Sequence, residues 1–118
     1  MSLDIYFREP KQCPHCGGEL MDGETLWEAN ITHNLNTMAD EAGIYGIVWR
    51  PEENGIRVAG DLTERLSEAI KLMEQNPPRF EQHNAPNGWG LYKHFLPWLK
   101  ALKDASLMHP NAIVRVSR

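Results

Sequence analysis

At 118 residues, 42% of them hydrophobic and 24% charged, the chain is the size of one domain and can bury a core unaided. A net charge of −4 excludes a histone-like binder of duplex phosphates, and no apolar run nears the roughly 20 residues needed to cross a bilayer. The N-terminal Met1-Ser2-Leu3-Asp4-Ile5 has neither a basic nor an apolar leader region, so a cytoplasmic protein is expected, with no membrane and no duplex nucleic acid among its partners.

Leu3 to Arg8 alternates apolar and polar residues and predicts a half-buried strand that Pro10 stops. After Cys13-Pro14-His15-Cys16-Gly17-Gly18, two strands are expected at Glu19–Met21 and Glu24–Thr32, joined by a type I′ turn at Asp22-Gly23. Leu35, Met38, Ala42, Tyr45 and Trp49 recur at helical steps and predict one continuous helix, with Thr32 or Asn34 as N-cap and Pro51 as its stop. Gly43 and Gly46 weaken it by about 1 kcal/mol each. Asp61-Leu62-Thr63-Glu64 looks like a capping box, with Asp61 as N-cap. It opens a second helix whose stripe is Leu62, Leu66, Ala69, Ile70 and Met73, ended by Pro77-Pro78.

Residues 77–90 contain no periodic element and predict a long irregular loop. A third helix follows on Leu91, Phe95, Trp98, Leu102 and Ala105, with Pro97 on its exposed side, and Ala112–Val116 reads as a last strand. The order predicts an α+β domain over residues 1–118: a β-hairpin region at 1–33, a helical region at 34–109 and a C-terminal strand at 110–118. Three helices would cover one face of a small antiparallel sheet, with the last strand returning beside the first.

The charge is uneven. Residues 1–76 carry a balance of −8 and residues 77–118 a balance of +4. Two readings follow: halves that attract each other within one fold, or a basic patch for an anionic ligand or acidic partner.

Cys13-Pro14-His15-Cys16 is a tetrapeptide also used by disulfide oxidoreductases, but Gly17-Gly18 would break the helix that such chemistry needs to lower a thiol pKa. Cys-x-x-Cys-Gly-Gly also resembles half of a zinc ribbon, and a closed zinc site requires four ligands. A hairpin at Asp22-Gly23 would bring residue 33 opposite residue 12. Zinc held by Cys13 and Cys16, with His33 the best-placed further ligand and His15, His83, His94, His109 or a carboxylate as the other candidates, is one expected reading; the alternative is two reduced surface thiols.

Asn30-Ile31-Thr32-His33-Asn34 concentrates amides, a hydroxyl and an imidazole at a strand–helix junction. Such residues cap helices, and they also suit an anion at a helix N-terminus; His33 could instead be a general base. Asn87-Gly88-Trp89-Gly90 holds a tryptophan with little local packing, either a core plug or a stacking platform. Asn30, His33, Asn34, Asn87, Trp89 and Lys93 are the candidate ligand-binding residues.

Asn30-Ile31-Thr32-His33-Asn34, Ala42-Gly43-Ile44-Tyr45, Trp49-Arg50-Pro51-Glu52, Asn87-Gly88-Trp89-Gly90 and Val116-Ser117-Arg118 together resemble a family of small tailed-phage and prophage proteins. The likeness covers residues 25–118. It implies a phage origin and a bacterial cytoplasm and carries no activity with it; the cysteine segment is an addition to its pattern. The expected function is a non-enzymatic phage accessory protein that binds a host protein or a small anionic, nucleotide-like ligand, as in counter-defence. The alternatives are a small metal-assisted hydrolase or nucleotide-modifying enzyme using His33, and a structural zinc-ribbon-like module of a phage assembly.

Overall fold

A computed structural model describes residues 2–12, 20–84, 88 and 90–118. Strand β1 (Ser2–Gln12) pairs antiparallel with β2 (Leu20–Thr32) on one side and with β3 (Ile113–Ser117) on the other, in the order β2-β1-β3. The fold is α+β, and the C-terminal strand returns to the sheet beside the first strand, as the sequence predicts. In β1, Leu3, Ile5 and Phe7 are fully buried and alternate with half-buried Asp4, Tyr6 and Arg8, so one sheet face meets the helices. Trp27, opposite Phe7 in the ladder, packs on its ring at 5.2 Å.

The hairpin differs from the expected one. Neither Asp22 nor Gly23 has the positive φ of a type I′ turn, and β2 runs straight through both. β1 likewise continues past Pro10, which pairs with Asp22. Proline is tolerated in strands at bulges and open edges. Pro10 has both, because the register shifts between Arg8 and Pro10 and β3 pairs only with Asp4–Arg8. Cys13 and Cys16, and with them the zinc knuckle, lie outside the described residues.

The long first helix is two short ones. After a 3-10 turn at His33–Leu35 come α1 (Asn36–Glu41) and α2 (Tyr45–Trp49). Gly43, at φ +76°, ends α1: its N–H donates to the Asp40 carbonyl (3.0 Å), and the Ile44 N–H to that of Ala39 (3.0 Å). This is a Schellman motif, closed by the buried pair Ala39 and Ile44. The chain turns there, yet the apolar residues on either side still face the same core.

Helix α3 (Gly60–Gln75) buries the expected stripe of Leu62, Leu66, Ala69, Ile70 and Met73. Asp61 is not its N-cap. It sits within the first turn and accepts the Arg57 and Val58 N–H groups at 3.1 and 3.2 Å, tying down the approach to the helix. The expected irregular stretch starts with a helix, α4 (Pro77–Glu81), because Pro77 occupies the first turn, where its missing N–H is no loss. Helix α5 (Tyr92–Met108) keeps Pro97 exposed and buries Phe95, Leu99, Leu102 and Ala105. Buried Ser106 is satisfied by the Thr63 hydroxyl at 2.7 Å and the Lys103 carbonyl at 2.6 Å. Among the described residues no helix is long and apolar enough to cross a membrane.

Candidate ligand groove

Where β2 ends and the 3-10 turn begins, the surface opens into a groove of ≈ 1380 Å³. Ser2 and Asn30–Thr32 form its strand wall, His33–Leu35 its floor, and Gly88, Gly90, His94 and Trp98 the opposite side. The sequence-predicted residues Asn30, His33 and Asn34 are thus brought together with both glycines that flank Trp89. Asn87 and Trp89 themselves lie outside the described residues.

Close contact holds the two walls together. Gly90 has φ +117°, and a Cβ there would lie 3.0 Å from the Asn34 Cβ and 3.5 Å from the Leu35 Cγ. Only glycine combines that backbone with that approach. Thr32 caps the turn by accepting the Asn34 N–H at 3.3 Å. Asn30 is already engaged: its amide nitrogen donates to the Ser2 hydroxyl at 2.9 Å and the Asp4 carboxylate at 2.6 Å, bracing the hairpin's end.

His33 is fixed from behind. The indole Nε1–H of Trp49, a residue only 2% exposed, donates to His33 Nδ1 at 3.0 Å. An indole nitrogen can only donate, so Nδ1 must be the unprotonated, accepting nitrogen, and neutral His33 carries its proton on Nε2. His33 therefore offers the groove an N–H donor. A general base or metal ligand at Nε2 would need a lone pair there, hence a proton on Nδ1 facing the indole N–H. Both roles expected for His33 conflict with this contact.

The register separates His33 from Gln12 as well. Thr32 pairs with Ser2 and Gln12 with Leu20, so His33 is at the opposite end of the ribbon, about 30 Å from Gln12 at strand rise. The expected pairing of residue 33 with residue 12 is thus not formed, because Asp22 pairs with Pro10 inside the ladder and is not part of a turn. Among the described residues, no group of three His, Cys, Asp or Glu side chains is arranged to hold a metal.

Lys93 does not line the groove. It belongs to a separate depression of ≈ 340 Å³ with Glu81, Asn84 and Tyr92, since one residue along a helix is a rotation of about 100° from His94. Asn84 caps α5 there by accepting the Tyr92 N–H at 2.8 Å, and the Tyr92 hydroxyl donates to the Met73 carbonyl at 2.8 Å. Burial pushes the Tyr92 phenol above its ordinary pKa, with the Glu74 and Glu81 charges adding to the shift.

No lysine, arginine or carboxylate is among the described residues lining the groove. Three basic residues of the last third are instead paired with the acidic part. Arg79 meets Glu41 at 2.7 Å, Lys100 meets Glu74 at 3.3 Å, and Arg118 meets Glu52 at 2.7 Å. Arg118 also donates to the Trp49 carbonyl at 2.8 Å. Hydrogen bonds from Arg79 and His83 hold the Glu41 carboxyl below the usual carboxylate range, while backbone hydrogen bonding and then Arg118 do so for Glu52. At the expected anion site the helix starts as a single 3-10 turn, His33–Leu35, that runs directly into the six-residue α1.

Sequence reasoning missed Trp98 as a site residue. Its place in the apolar stripe of α5 assigned it to the core, yet it is half-buried and shares the groove with His94, one turn earlier. The i, i+4 spacing of His94 and Trp98 was the available signal. Compared with known proteins, the chain matches no family model, no curated protein and no solved structure.

Proposed function

We propose that the protein is a non-enzymatic binding protein that holds a small ligand in the groove between the His33 turn and α5. The setting we propose is that of a phage accessory factor in a bacterial cytoplasm, supported by the run of motifs from Asn30 to Arg118. One observation carries the binding reading: the Trp49 indole occupies His33 Nδ1, so this imidazole of the groove is a donor and not a base. With no carboxylate, lysine or arginine among the described lining residues, the groove offers recognition groups without a catalytic set.

The test is a metabolite panel screened by thermal shift and followed by NMR. A ligand of this site moves the Asn34 and His94 signals, loses binding in His33→Ala and is recovered chemically unchanged. Turnover that depends on His33, or binding indifferent to His33→Ala, would overturn the reading.

A further inference from the structure

We infer that the groove is built for an uncharged, flat ligand bearing a hydrogen-bond acceptor, of the nucleoside class, and that Trp49 is the positioning residue that sets this preference. The inference rests on the binding reading above and goes further by naming the ligand's chemistry.

Three features of the groove point the same way. Trp98 supplies an extended aromatic surface, and its ring is backed by Phe95 with centroids 6.2 Å apart and planes 22° from parallel. Aromatic rings of this kind hold bases by stacking, worth about 1–3 kcal/mol per base. His33, with Nδ1 taken by the Trp49 indole, presents an N–H where a ring nitrogen or carbonyl of a base would accept. The described lining residues carry no formal positive charge with the histidines neutral, so a phosphate there would meet no cation among them. A phosphate-directed site has the opposite design.

Trp49 acts through His33 and is itself buried, so it touches no ligand. Its indole removes one of the two neutral tautomers. Without it, His33 could place either a donor or an acceptor in the groove, and selection for acceptor-bearing ligands would weaken.

The experiment titrates the full chain with adenosine, guanosine, cytidine, uridine, their 5′-monophosphates and inorganic phosphate. Readouts are the Trp98 indole and His94 amide signals, together with the ¹⁵N shifts of His33 at mildly alkaline pH. The expected result is a His33 protonated on Nε2, at least one nucleoside that moves the Trp98 signal, and a matching monophosphate that binds no more than about threefold more tightly. Trp49→Phe should collapse the fixed tautomer signature and weaken nucleoside binding by about twofold, because freeing the second tautomer leaves roughly half of the neutral His33 as a donor. His33→Gln, which keeps an N–H donor, should retain binding that His33→Glu, which offers only acceptors, loses; this pair stands even if Trp49→Phe fails to fold.

A His33 protonated on Nδ1, a gain of tenfold or more from the phosphate, or equal binding by the Gln and Glu variants would overturn the inference. So would a groove that responds to inorganic phosphate and to no nucleoside, which would leave the binding reading standing. A nucleoside consumed in the groove would overturn the binding reading and leave the ligand class intact.

Discussion

His33 is decided by a residue 16 positions away. The sequence marks it as the one imidazole in a polar junction, a description that fits a base, a metal ligand and a donor equally well. The Trp49 indole separates these roles, because a buried donor must find an acceptor and the nearest one is Nδ1. His33→Ala should therefore leave the indole N–H orphaned and cost about 1–3 kcal/mol, seen as a lower urea midpoint with an unchanged slope. Zinc content, by elemental analysis, should be the same in His33→Ala as in the parent protein, since the strand register puts His33 at the opposite end of the ribbon from Gln12 and Leu20. A loss of zinc with that substitution would refute the register.

At the scale of elements, periodicity located nearly every apolar face and missed where the chain turns. Leu35, Met38, Tyr45 and Trp49 do share a core, but Gly43 splits their helix in two. The signal was present as Ala42-Gly43-Ile44, a glycine followed by an apolar residue that closes a Schellman motif. A Cβ at Gly43 meets nothing within 4 Å, so the cost of Gly43→Ala is purely that of the +76° φ. It should be about 1–2 kcal/mol, with Gly43→Asn costing less because asparagine tolerates the left-handed region. Thermal melts of the two variants check this; equal stability of Gly43→Ala and the parent would show that the helix runs on. The hairpin failed to be legible for a related reason. Asp22-Gly23 suits a turn, but a bulged strand also accommodates glycine, and only the pairing partner distinguishes the two.

At the scale of the whole molecule, the charge asymmetry is an internal one. Basic residues of the last third reach back to Glu41, Glu52 and Glu74, closing the C-terminal strand and α4 onto the earlier elements. Glu41 and Glu52 both titrate below their ordinary value of 4.5. A depressed folded-state pKa stabilises the fold above the unfolded value, and that contribution is lost as pH falls through the folded one. Melting temperature should therefore drop on acidification below about pH 4.5, and the double variant Arg79→Met/Arg118→Met should flatten that limb. The pairs are exposed, so added salt should shrink the same difference. An acid limb unchanged in the double variant would place the effect elsewhere.

What the sequence determined by itself was the α+β class, the apolar stripe of α3, the return of the last strand, and the polar junction at Asn30–Asn34. These depend on local periodicity and residue chemistry, which one chain segment carries within itself. The tertiary structure alone decided the hairpin register, the exclusion of Lys93 from the groove, the inclusion of Trp98, and the tautomer of His33. Each of those depends on a partner distant in sequence, and no pattern within a segment specifies which distant group will face it.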